Sequence, residues 1–423
     1  MTKGNFILLK KIKEVNVSLY SLILSMFFLP LNLQLNNIFL VVFLIFFLLE
    51  GGVKEKTSTL LSNYTKVIPI ILLFFLIVFG YSFSFETQLA FDQIVKSIPL
   101  LLVPLVFISD PKTFFENKNK FLYGLVAGCL VAAIISWGWL IYELWLEGNI
   151  SKVITWKYSK GNLISKLDQH TPYLAMFLFT SIGFIVSRLG SVEQAKTRTI
   201  LNVITIIQIL FLIHLLSRTA ILYFFVAAIT FLLIKRRIFV LFALLLMSFS
   251  FFTVLTLDSN DKGDYFEKLL FREIGLSGAD DLDPRFERWE YSWNLFKKSP
   301  IIGVGSGNVD AMRMVAYRKG GDLEAYKLKY NAHNQFVEFL SAQGAIGGLL
   351  FLFCFGYLMY LTLSTKDYFL LYVVVGIFVC SLTESILRRS WGVVFFSIMA
   401  SLVVVSDIRS QKNFSKALTK GNK

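Results

Sequence analysis

Residues 330–363 read YNAHNQFVEFLSAQGAIGGLLFLFCFGYLMYLTL. A polar turn carrying His333-Asn334 runs without a break into an apolar stretch of the length that crosses a bilayer, about 20 residues. Upstream, residues 283–309 read DPRFERWEYSWNLFKKSPIIGVGSGNV. Together these segments set two arginines, a glycine-rich turn and a His-Asn pair in water beside the membrane, and the rest of the chain reads as the spans that hold them.

Composition agrees. The 423 residues are 56% hydrophobic and only 17% charged, with mean hydropathy +0.65, more apolar surface than a soluble domain can hide. The net charge of +14 is accounted for by basic loops that fix membrane orientation; no nucleic-acid recognition motif accompanies it. Cys129, Cys354 and Cys380 all lie in apolar runs, which argues against a disulfide framework or a zinc site. Lys10, Lys11 and Lys13 precede an apolar run with no small-residue cleavage pattern, so that run reads as a first span.

The expected fold is all-α, a polytopic membrane bundle of roughly twelve spans. They fall near 17–34, 36–50, 67–84, 94–109, 121–146, 170–187, 199–216, 218–234, 238–256, 336–363, 368–384 and 391–406. Four segments follow: an N-terminal bundle 1–256, an outer loop 257–335, C-terminal spans 336–406 and a basic tail 407–423. With the N-terminus inside, the short inner loops carry Lys54, Lys56 and Lys66, then Lys112, Lys118 and Lys120, then Arg188, Lys196 and Arg198, then Lys235-Arg236-Arg237. Both termini are therefore expected in the cytoplasm. The long loop faces outward, and a loop of about 80 residues with helical periodicity, against the usual 2–8 in bundles, is where function is expected.

Asp283-Pro284 is a helix start. Phe286, Trp289, Trp293 and Phe296 then form an aromatic stripe expected to face inward at the membrane interface, with Arg285 and Arg288 beside it. These guanidinium groups suit either lipid phosphate or the diphosphate of a lipid-linked substrate. The run Gly303-Val304-Gly305-Ser306-Gly307-Asn308 serves equally as a structural turn or a phosphate cradle; it lacks the Lys-Ser/Thr of a P-loop. Arg218, at the outer edge of a span in LLSRTA, opposes the charge rule, which an anionic partner would explain.

Three histidines, His170, His214 and His333, are expected near the outer surface. His333 is the best placed to take a proton from a hydroxyl. Glu384, Arg388 and Arg389, in the turn before the last span, suit an ion-pair cluster or an acidic-glycan site. Asp280, Asp281 and Asp283 read as a hydrated loop and helix cap, not a metal site.

The order of these parts resembles the O-antigen ligase and polymerase superfamily: many spans, a long outer loop before the last three, Arg-x-x-Arg-Trp, Gly-x-Gly-x-Gly and His333 through Gly348 as HNQFVEFLSAQGAIGG. The resemblance implies an inverting, metal-independent glycosyltransferase of the bacterial inner membrane that uses no cofactor. Its donor would be a glycan on undecaprenyl diphosphate and its acceptor a sugar hydroxyl of lipid A core, met on the periplasmic face. It further implies a catalytic His333, with Arg218 and Arg285 or Arg288 on the donor diphosphate. Asn334, His170, Glu384, Arg388 and Arg389 are the expected supporting residues. Repeat-unit polymerases and protein O-oligosaccharyltransferases use similar parts, and a lipid-linked sugar transporter is the rival of another class. Charges crowded on one face with nearly uncharged mid-spans disfavour ion-coupled transport.

Overall fold

The computed structural model describes residues 16–153, 156–215 and 284–421, all of them helix, turn or loop. The runs near 218–234 and 238–256, Arg218 and the Asp280–Asp283 cluster lie outside these residues.

Seven helices are long and apolar enough to cross a membrane, and three shorter apolar helices accompany them. The chain divides into two compact units, Met1–Gly128 with Glu287–Lys423, and Cys129–Phe286.

The first unit opens on α1 (Val17–Phe28) and α2 (Leu33–Leu49), two helices joined by a turn. Asn16 and Asn32 cap them by accepting from Leu19 and Leu35 amides at 3.1 and 2.9 Å. Buried Asn36 bridges the pair, donating to the carbonyl and hydroxyl of Ser25 at 2.8 and 2.9 Å. Next come α3 (Val53–Asn63), α4 (Ile68–Tyr81), α5 (Thr87–Ser97), α6 (Pro99–Ser109) and α7 (Pro111–Leu146), of which the residues up to Gly128 belong to this unit. Pro69, Pro99 and Pro111 each stand in a first helical turn, where the missing N–H leaves no carbonyl unsatisfied.

Three C-terminal helices complete the unit: α13 (Gln335–Thr365), α14 (Tyr368–Thr383) and α15 (Ser390–Gly421). The apolar window of α15 is wholly buried, as expected of a helix that is apolar all round. Within it Ser397 and Ser401 turn their hydroxyls back to carbonyls four residues earlier, so neither hydroxyl is stranded.

One end of this unit carries two lysine–aspartate pairs. Lys66 pairs with Asp407 at 2.7 Å and Lys118 with Asp367 at 3.3 Å. The other end, reached by α4 at Gly80 and by the start of α13, carries the polar residues described below. The 31-residue α13 runs from the candidate site to the end that carries these pairs.

In the second unit α8 (Thr171–Leu189) and α9 (Ala195–His214) pair, tied by a buried 2.7 Å bond from Ser181 to Gln208.

Candidate active site

Three short helices precede the site in sequence: α10 (Pro284–Lys298), α11 (Asn308–Gly320) and α12 (Leu323–Leu328). The α10 helix begins at the expected proline, but its packing differs from expectation. Phe286 and Trp293 are 55% and 45% exposed, while Trp289 and Phe296 are half-buried, so the stripe packs only in part against the protein. The buried residues include Arg288, Ser292 and Leu295; Leu295 packs with Val309 and Ala342, and Arg288 meets polar partners. Arg288 Nε lies 3.4 Å from Asp322, and its guanidinium stands 4.5 Å over the Tyr330 ring.

The glycine-rich turn proves structural. Amides of Gly303, Val304, Gly305 and Ser306 donate to the carbonyls of Ser299, Ser341, Ala342 and Gly80 at 2.9 to 3.2 Å, and the Gly307 amide reaches Ser84 Oγ at 3.1 Å. With its amides directed at protein acceptors, the turn presents no open cradle for phosphate. It instead docks on α13, which departs from helical geometry at Gly344 (φ 67°, ψ −161°). There Ala345 and Ile346 donate to Pro300 and Ile301 carbonyls at 2.8 and 3.3 Å. The tenth expected span is therefore two pieces: 335–343, which buries Gln335, Glu338, Ser341 and Gln343, and the apolar remainder.

His333 stands immediately before that first piece, at φ 48°, a left-handed conformation that few non-glycine residues adopt. Asn334 caps the helix, its Oδ1 accepting from Phe336 and Val337 amides at 3.0 and 3.1 Å. The His333 Nδ1 lies 3.0 Å from Glu384 Oε2. A carboxylate accepts from a protonated Nδ1, and in the neutral imidazole of that tautomer Nε2 carries the lone pair. Nε2 is shielded from solvent and has no protein hydrogen-bond partner among the described residues. The Tyr330 ring meets the imidazole edge-to-face at 5.3 Å.

Around this pair lies an ion network that sequence reasoning missed in part. Arg313 of α11 is fully buried and donates to Glu338 Oε1 at 3.0 Å. Arg388 Nε approaches the same oxygen at 3.4 Å, and its Nη2 pairs with Asp310. Burial opposes the Arg313 charge, but Glu338 foremost, with Tyr317 and Asp310, outweighs it and holds the guanidinium protonated. Burial likewise pushes the Tyr317 hydroxyl up to about 12, against the pull of Arg313. Arg313 lay hidden in a helix that reads as an ordinary wet surface; Glu338 could have been flagged as a lone carboxylate in an apolar run.

The other expected residues are placed as follows. Arg389 is exposed. His170 and His214 belong to the second unit. His170 opens α8 with its ring 6.5 Å from Tyr173, and His214 Nδ1 accepts from the Trp137 indole at 3.1 Å. The structure therefore brings together His333, Asn334, Glu384 and Arg388, with Arg288 joined through Tyr330.

Residues 203–352 match the family model described as O-antigen ligase. This stretch of the chain is similar to O-antigen ligases. The match takes in α10 to α12, His333, Glu338 and the Gly344 break, and the apolar helices mark a multi-pass membrane protein. Glu384 and Arg388 lie beyond the matched residues, yet the structure seats them against its two central residues. No curated protein matches the chain.

Proposed function

We propose that this O-antigen ligase-superfamily protein moves a glycan from undecaprenyl diphosphate to a sugar hydroxyl of lipid A core. The transfer takes place on the periplasmic face of the inner membrane, with inversion and without a metal. The observation that carries this reading is the His333–Glu384 pair, whose Nε2 lone pair is left without a protein partner.

In this account the acceptor hydroxyl gives its proton to His333 Nε2 as its oxygen attacks the anomeric carbon. The bond from that carbon to the diphosphate oxygen breaks, and the diphosphate leaves with the electron pair. Glu384 keeps the ring in the tautomer that can accept and offsets the imidazolium charge as it forms. The leaving group needs cations. Arg218 and Arg285 or Arg288 are assigned to it on the family resemblance. Of the last two, Arg288 is already committed to Asp322 and Tyr330. The sidedness follows from charge, with Lys66, Lys118 and Arg409 at the end of the bundle opposite His333.

Purified protein reconstituted with undecaprenyl-diphosphate-linked glycan and core lipid tests this directly. A new glycosidic bond to the core is expected. Donor chains lengthened without core attachment would identify a polymerase, and donor moved across the bilayer without any new bond would identify a transporter.

A further inference from the structure

Glu338 touches more of the site than any residue the function above requires. It is 1% exposed, and its two oxygens divide their partners. Oε1 takes Arg313 Nη2 at 3.0 Å and Arg388 Nε at 3.4 Å. Oε2 accepts the Ala332 amide at 3.1 Å and faces the Ser385 hydroxyl at 3.5 Å. Ala332 immediately precedes His333, and Ser385 immediately follows Glu384. One carboxylate therefore holds both chain segments that supply the candidate proton acceptor and its partner.

Each segment is also gripped from its other side. The Ala332 carbonyl accepts from Trp289 Nε1 at 2.9 Å, so that residue is fixed at its amide and its carbonyl. In the turn after Glu384, the Leu387 amide donates to Gln335 Oε1 at 2.7 Å and its carbonyl accepts from Gln93 Nε2 at 2.9 Å. Such pinning is needed because His333 occupies a left-handed backbone conformation that an unheld loop would leave. A buried carboxylate is costly unless fully paired, and here the two arginines meet that condition while leaving Oε2 for the backbone.

We propose that Glu338 is the positioning residue of the site: paired with Arg313 and Arg388, it fixes the separation of His333 and Glu384 by holding Ala332 and Ser385. Glu338 does not itself touch the reacting atoms. This rests on the reading of His333 and Glu384 as the proton-accepting pair.

The test uses the full chain reconstituted with undecaprenyl-diphosphate-linked glycan and core lipid. Glu338→Gln is expected to lower kcat about 100-fold, the scale of a misplaced reacting group, with KM for both substrates little changed, and Glu338→Asp to restore part of the loss. A Glu338→Gln protein with parental kcat overturns the proposal, as does a loss confined to KM. Should Glu338→Gln fail to accumulate, hydrogen exchange on the parent protein decides. A protected Ala332 amide is expected, and an Ala332 amide exchanging as fast as an unstructured peptide overturns the proposal. Parental transfer by His333→Gln would sink the proton-acceptor reading alone, because the exchange measurement judges the Glu338 grip independently.

Discussion

His333 and Glu384 stand 51 residues apart in the chain and 3.0 Å apart in space. The contact joins the start of α13 to the turn before α15, across the whole of α14. Neither residue has a local reason to meet the other, so the contact depends on the packing of the last three helices and on the ion network beneath them.

Removing the Glu384 charge while keeping its shape tests the partnership. Glu384→Gln should lower transfer about 10-fold or more, since the amide no longer offsets the imidazolium and can hold the ring in the wrong tautomer. Steady-state rates on reconstituted protein measure this, and an unchanged rate would remove Glu384 from the mechanism.

Arg313 is predicted to be a stability residue first. Arg313→Met leaves Glu338 facing Arg388 alone in a buried setting, and breaking a buried pair costs about 3–5 kcal/mol. Thermal unfolding in detergent should show a fall of several degrees or no folded protein at all, and an unchanged midpoint would contradict the network.

Tyr317 should behave differently. Its buried hydroxyl has no hydrogen-bond partner among the described residues, so Tyr317→Phe should cost no stability. The hydroxyl is pushed up to about 12 in the folded chain, above the ordinary tyrosine value of about 10. A raised folded value gives a contribution that is complete below pH of about 10 and lost as pH rises through about 12. Unfolding midpoints from pH 9 to 12 should therefore fall less steeply in Tyr317→Phe than in the parent.

The junction between the glycine turn and α13 admits no side chains. A Cβ on Gly303 would lie 2.3 Å from the Ala342 carbonyl carbon, at φ +74°. One on Gly344 would lie 2.3 Å from Ile301 backbone, at φ +67°. Gly303→Ala or Gly344→Ala should destabilise by about 2 kcal/mol or more, whereas Gly356→Ala, with nothing within 4 Å, should not. Melting midpoints of the three variants decide it.

Much of this architecture is legible in one sequence because a bilayer imposes it. Apolar runs must be helices, and those lying on the described residues coincide with apolar helices. Asn334 as a cap and His333 as its neighbour follow from local spacing. The Gly344 break was not legible, because a glycine in an apolar run gives no sign that loop backbone will pair with it. Nor was the packing of α10: its aromatic spacing predicts an inward stripe and gives no sign that Arg288 is buried against Asp322 and Tyr330. Arg313 and Glu338 were missed for the same reason. Each is explained only by a partner 25 residues away, and periodicity carries no information about such pairs.

The central claim is that His333 accepts the proton of the attacking hydroxyl, and transfer by His333→Ala in the reconstituted system measures it most directly. The account predicts a loss of at least about 100-fold in a protein that still inserts and folds. Glycan transfer to core lipid by His333→Ala at the parental rate would contradict it.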